Sequence, residues 1–423
     1  MTNKRVLISG ASIAGPAAAY WLARYGWEVT VTERAAQLRE GGHNIDVRGA
    51  GREVARRMDI EQAIREATTG EKGTRFINSH GATIAEFPAA TSGTAGATAE
   101  LEILRGDLAR IIIDADSTGV EYIFGDVITG INELPGEIVV NFQHGSKRSF
   151  DAVIVAEGIN SRTRALAYGD EPAIRHLGMY TSYFTIDRTR NDDGWAQWYN
   201  TTQGRAALLR PDNKGATRAA LSFLSSRKGY EDLPLQQQKT ALRNRFADAG
   251  WEIPRMLEGL DSAEDMYLDY IGQVHAPSWA KGRVILLGDA AYCASPISGM
   301  GTSLALVGAY VLAGELASRP HNIGDAAGAY ERLMRPYVNQ AQRLPPGAPR
   351  LANPKTRPGL AVLSAFLKLG ATRAFSALGE KFFTPPADKI ELPDYSHLIG
   401  ATSSSGQNAE SHQRIARQSE EHL

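Results

Sequence analysis

A chain of 423 residues is long enough for two domains or for one large interleaved α/β unit. Its 46 basic and 47 acidic side chains give no support to a nucleic-acid or polyanion partner. One cysteine, Cys293, excludes an internal disulfide and a cysteine-based metal cluster, and the nine histidines lack ligand spacing, so no metal is expected.

The apolar run behind the basic start covers only residues 6–8, too short for a secretory signal. Residues 359–379 form the longest other apolar stretch. Lys368 and Arg373 interrupt it, which predicts an amphipathic helix docked on the body and not a membrane span. With the lone cysteine, this places the protein in the cytoplasm.

Residues 6–9 predict a buried strand, Gly10-Ala11-Ser12-Ile13-Ala14-Gly15 a tight turn, 16–25 a helix, and 28–32 a second strand ending at Glu33-Arg34. This is a β-α-β unit with a dinucleotide arrangement. Gly10 permits the turn and Gly15 lets the helix pack on the strand, while the amides of Ser12, Ile13 and Ala14 face a pyrophosphate. Glu33 follows Gly15 by 18 residues, where an acid binding a free ribose 2′-hydroxyl belongs, as in FAD or NAD. Ser12 replaces the middle glycine of the fingerprint, and its hydroxyl can itself meet a phosphate oxygen.

A Gly-rich loop then carries Arg39, Gly41, Gly42 and Asp46 into a helix from Ala50; it reads equally as a ligand-approach loop or a surface loop. Residues 91–99 read as a flexible tip, and a helix runs from about 104 to 116. Arg105, at its start, either reaches a phosphate or ring carbonyl or is simply solvated. Strands are predicted at 120–124, 127–132, 138–142 and 149–154, the last leading into Glu157-Gly158 and a basic helix start. Residues 179–184, 195–199, 205–210 and 218–224 alternate with many aromatics. They predict an antiparallel sheet whose apolar face covers a cavity, most of the aromatics being core. Further helices are expected at 235–249 and 326–342, a Pro-rich connection at 345–358, and a disordered polar tail at 400–423.

Residues 284–287 are a fully apolar strand ending in Gly288-Asp289. A turn with Pro296 and Gly299-Met300-Gly301 opens a small-residue helix at 302–316. The carboxylate can accept hydrogen bonds from a polyol, and the amides at the helix start can stabilise a developing anion. The alternative is an ordinary strand-turn-helix with a capping acid.

Taken in order, Gly-x-Ser-x-x-Gly, Glu33-Arg34, Arg105, Glu157-Gly158 and Gly288-Asp289 resemble the class A flavoprotein monooxygenases typified by para-hydroxybenzoate hydroxylase, over about residues 4–342. The resemblance implies an α/β fold: a Rossmann-like FAD-binding domain (1–175 and 276–342) interleaved with a mixed or antiparallel substrate domain (176–275). A C-terminal helical segment (343–399) and the tail (400–423) follow. It puts Glu33 on the adenosine ribose, Arg105 at the flavin side, and Asp289 on the ribityl chain. Pro296, Gly299, Met300 and Gly301 fall beside the flavin ring, and Arg34, Val127, Gly158 and Gly288 complete the cofactor site. Two positions depart from the family pattern: its Asp-Gly is Glu157-Gly158 here, and its histidine after Gly-Asp-Ala-Ala is Tyr292.

Within that family, Arg39 and Asp46 are similar to the pair that contacts NADPH and flavin in tetracycline-inactivating enzymes, which stand near the polyketide-tailoring monooxygenases. The chemistry implied is reduction of FAD by NADPH or NADH, addition of O2, and transfer of oxygen from a flavin hydroperoxide to an aromatic, phenolic or polyketide-like carbon. No catalytic side chain is named; Tyr183 and Arg210 are candidates toward the substrate. Three other readings stand beside this one: an NAD-dependent dehydrogenase, a non-catalytic flavin- or ligand-binding protein, and a halogenase suggested by Trp251-Glu252-Ile253-Pro254 but lacking the first tryptophan at Ala249.

Overall fold

Two sheets, built by different rules, divide the chain. In the computed structural model, residues 4–39, 41–89, 101–116, 118–372 and 390–399 are described. The first sheet has six strands in the order Ala280–Lys281, Val284–Leu286, Ala152–Val155, Arg5–Ser9, Glu28–Glu33 and Glu121–Phe124. All neighbours pair parallel except the two-residue edge strand. Val6, Leu7, Ile8, Val153, Ile154 and Ile285 are fully buried, as a sheet covered on both faces requires. Helix Gly301–Ser318 is long and apolar enough to cross a membrane, but 83% of it is buried inside the fold. It is apolar all round because it is the central core helix. Helix Ala14–Arg24 packs on it, with the Trp21 and Tyr310 rings 4.9 Å apart.

The stretch expected as one strand at 149–154 is two. Arg148–Phe150 joins a three-stranded antiparallel sheet with Glu137–Phe142 and Ile128–Leu134, while Ala152–Val155 enters the first sheet. Asp151 is the pivot: its carboxylate accepts from Lys4 Nζ at 2.7 Å and Arg5 N at 2.9 Å. No Gly or Pro marks this break, so the apolar pattern ran through it.

The second sheet has seven strands in the order Tyr267–His275, Ala173–Asp187, Ala216–Leu224, Arg205–Pro211, Ala196–Thr201, Gly73–Ile77 and Thr83–Pro88. The four alternating stretches all become its strands. Strand Tyr267–His275, the hairpin at 73–88 and helix Ile253–Ser262 were not foreseen from the sequence. Tyr180, Phe184, Tyr199, Phe223 and Tyr270 form one face, packed on helices Leu235–Phe246 and Ile253–Ser262. By the period of two, Trp198, Leu208, Ala220, Tyr183 and Tyr267 share the opposite face. Trp251 packs on Tyr199, on the core side, so the halogenase-like tetrapeptide stands away from the cavity face.

A short ribbon pairs Asn44–Asp46 with Glu102–Leu104 and carries the Gly-rich loop beside Arg105. The Pro-rich connection holds a short helix, Ala348–Ala352, and helix Arg357–Gly370 is capped by Thr356, which accepts from Gly359 N. The expected tip at 91–99, the end of the expected 359–379 helix and the tail at 400–423 lie outside the described residues.

Candidate active site

The first cavity, about 440 Å³, opens at the carboxyl ends of the parallel strands. Its floor is backbone. Gly10 has φ +108°, and a Cβ there would lie 2.5 Å from the Ala156 carbonyl oxygen; one on Gly15 would lie 1.9 Å from the Gly10 oxygen. No side chain fits at either position. Gly10, Ser12, Ile13 and Ala14 line the cavity, whereas Gly15 lies behind it and sets the helix-to-strand packing. The Glu33 carboxylate accepts from Ala11 N at 2.9 Å and Ala35 N at 3.0 Å. Those bonds fix the carboxylate beside the turn and leave it further acceptor capacity toward the cavity, which Arg34 also lines.

Asp289 opens a one-turn helix after Gly288, whose φ is +62°. Its side chain lines the cavity and is open to it. Desolvation raises it above the ordinary carboxyl range, against a Cys293 hydrogen bond and the Arg105 charge. Gly288 itself lies outside the lining. In the following turn, Pro296, Gly299 and Gly301 line the cavity while the Met300 side chain is fully buried. The Gly299 N–H donates to Pro296 O and the Met300 N–H to Ser298 Oγ, so the turn itself uses both. Among the described residues the Gly301 N–H has no such partner, and a Cβ at Gly301 or Gly158 would meet nothing within 4 Å. These bare positions suit close approach of a flat ring.

Glu157, in place of the family's aspartate, is held by its own chain. Its carboxylate accepts from the Ser9 and Thr163 hydroxyls, the Ser161 hydroxyl at 2.8 Å and Thr163 N at 2.9 Å. Tyr292 is buried and receives a hydrogen bond from the Tyr330 hydroxyl at 3.0 Å; its position is structural. Val127 lines the cavity next to Asp126, whose carboxylate caps four backbone amides.

A sequence family described as FAD binding domain matches residues 3–341. The chain belongs to this FAD-binding family. It is a flavin-dependent monooxygenase of the class A type. It is 37% identical to the flavin-dependent monooxygenase eupH of Phoma sp over 428 residues, covering 93% of this chain and 98% of the relative. A flavin-dependent monooxygenase of Legionella longbeachae is 36% identical over 342 residues, 81% of this chain and 87% of that one. Among solved structures, the tetracycline destructase Tet(51) superposes with a TM-score of 0.78 at 32% identity, covering 93% of this chain and 100% of its own. The backbone cradle and Asp289, open to the cavity at the strand end, fit the FAD that the family binds.

The monooxygenase has a second cavity of about 650 Å³ under the open face of the seven-stranded sheet. Arg39, His43, Asn44, Arg105, Arg210 and Pro296 line both cavities, so the two meet at this neck. Arg39 and Asp46 therefore share the first cavity, with Asp46 paired to Arg48 at 2.8 Å. Arg210 is clamped between Glu71 at 2.8 Å and Glu102 at 2.7 Å. Burial pushes Glu102 upward against the pull of Arg210.

His43 was not singled out in the sequence. Its Nδ1 lies 2.7 Å from the Tyr267 hydroxyl, and its ring stacks on Tyr183 at 4.8 Å. Burial, then the charges of Arg105 and Arg210, push His43 down to about 3, so the ring is neutral; burial pushes Tyr183 up to about 12. The only sequence signal was a histidine inside a Gly-rich loop; its partner stands more than two hundred residues away.

Proposed function

We propose that this monooxygenase uses NADPH or NADH and O2 to insert one oxygen atom into a hydroxylated aromatic or polyketide-like molecule bound in the second cavity. In balance, two electrons come from the nicotinamide, one oxygen atom enters the substrate, and the other leaves as water. FAD, when bound, supplies the redox chemistry that joins those halves. The observation carrying this reading is the neck, where a cavity fit for a dinucleotide meets a roomy second cavity with Ala206, Ala220, Thr181 and Ser222 in its lining.

The chain's own residues have separable roles in this reading. Asp289 and Glu33 accept hydrogen bonds from the polyol and ribose hydroxyls. The Gly301 amide at a helix start favours negative charge on the ring edge. Arg105 at the neck favours a substrate in its phenolate or enolate form, which is more electron-rich at carbon, while Arg210 is already paired with Glu71 and Glu102. Neutral His43, bonded to Tyr267, gives the neck a group able to hold a proton on either atom. Arg39, lining both cavities, meets the nicotinamide cofactor's phosphates. The sheet excludes water from the reacting atoms. The name of the solved neighbour, a tetracycline destructase, supports the polycyclic class.

The test is NADPH and NADH oxidation by the FAD-loaded enzyme across phenols, hydroxyanthraquinones and tetracyclines, with ¹⁸O2 labelling of products. Substrate-stimulated oxidation and one labelled oxygen in the product are expected. Full FAD content with no stimulation by any compound would sink the reading in favour of a flavin-binding protein.

A further inference from the structure

Helix Arg357–Gly370 carries apolar side chains on two sides, and the body of the protein covers one of them. It packs on Thr83–Pro88, the edge strand of the seven-stranded sheet, where a Cβ on Gly370 would lie 3.9 Å from the Phe87 ring. Leu367 is buried and Leu360 and Leu363 are half-buried, a row at i, i+3 and i+7. A second row, Val362, Phe366 and Leu369 at i, i+4 and i+7, is 71%, 55% and 49% exposed. Leu351, on the short helix before it, is exposed as well. Single apolar residues are ordinary on a surface, but three large ones in line along one helix form a strip that calls for a partner.

The segment that carries the strip is basic. Between Glu331 and Glu380 the sequence holds no Asp or Glu, although the chain as a whole is nearly neutral. Arg343, Arg350, Lys355, Arg357 and Lys368 are all exposed, and among the described residues none of them has an ion-pair partner. Glu86, the one acid on the strand beneath the helix, is taken up by Arg75 at 2.6 Å. The charge pattern selects the occupant. A second copy of the chain in a two-fold pair would set these cations against themselves, because such an interface brings the same patch to both sides. The strip also lies outside both cavities, on the outer side of a helix, which suits a planar surface.

We propose that this helix docks the enzyme reversibly on an anionic membrane surface. Val362, Phe366 and Leu369 enter the boundary between headgroups and acyl chains, and the Lys and Arg heads stay with the lipid phosphates. The helix has 14 residues, too few to span, so it lies in the interface plane. Docked there, the edge of the seven-stranded sheet stands beside the phase into which apolar ring systems partition.

The test sediments the FAD-loaded full chain with vesicles of phosphatidylcholine alone or with about 30% phosphatidylglycerol, at low salt and at about 0.5 M salt. Two variants are compared, Val362→Ser/Phe366→Ser/Leu369→Ser and Lys355→Gln/Arg357→Gln/Lys368→Gln. Wild type is expected to bind the anionic vesicles at low salt and to release at high salt. The glutamine variant should bind on the order of a hundredfold more weakly, and the serine variant at least about tenfold more weakly. FAD content and Tm should hold in both, since the replaced side chains are exposed. No binding by wild type, equal binding to neutral vesicles, or either variant within about twofold of wild type overturns the proposal. A wild-type dimer that the serine variant splits, with no vesicle binding, assigns the strip to a second copy. A Tm several degrees lower in the serine variant shows that the protein itself covers the strip, and also overturns the proposal. No substrate enters the test, so its result stands apart from the reading of the second cavity.

Discussion

The two cavities are made of different material. The first is backbone and carboxylate: Gly10, Gly301, Glu33 and Asp289 act through main-chain geometry or one acidic group at a strand end. The second is lined largely by side chains from strands within 173–224 and 267–275, placed by register. A site built of backbone tolerates few substitutions and serves one cofactor. A site built of alternating side chains can change its ligand without changing its fold.

The largest effect expected from that contrast is at Asp289. Asp289→Ala removes a charged acceptor for cofactor hydroxyls and should weaken FAD retention about a hundredfold, while far-ultraviolet circular dichroism stays native. Normal FAD content in the purified variant would remove Asp289 from the cofactor site. Gly10→Ala comes next. With φ at +108° and a carbonyl 2.5 Å from the new Cβ, the turn must open. A destabilisation of about 2–4 kcal/mol is expected, with a lower Tm and reduced FAD uptake; a wild-type Tm would contradict the turn geometry. Arg39→Ala, at the neck, should raise the NADPH KM roughly tenfold and leave FAD content unchanged. Loss of FAD instead would assign Arg39 to the first cavity alone.

The last effect appears only in acid. His43 titrates near 6.5 when unfolded but only near 3 in the fold, so between those values the unfolded chain binds more protons. Stability is then full above pH 6.5 and declines as pH falls from 6.5 toward 3. His43→Gln removes the titrating ring and should flatten that limb of the urea-unfolding free energy against pH. An unchanged slope would show that His43 is not buried neutral.

Much of the first cavity was legible because its signals are local. A strand, a glycine turn and a helix start are written within about 25 residues of one another, and Gly288-Asp289 follows the same logic. Even there, detail escaped. Gly299 and Met300 were expected to offer their amides to the flavin, but their N–H groups close the turn, leaving Gly301. The apolar stretch at 149–154 broke at Asp151 because Lys4 and the Arg5 amide, nearly 150 residues earlier, hold its carboxylate.

What the sequence determined by itself was the α/β plan, the dinucleotide unit, the strand-end acid and the alternating sheet, since each is written in residues close along the chain. Tertiary structure alone decided which face of that sheet became core and which became cavity. It also decided the meeting of His43 with Tyr267 and the clamping of Arg210 by Glu71 and Glu102. The physical reason is register: a strand's period of two gives two faces but does not say which one the helices will cover, and contacts between distant segments are set only when the sheets close.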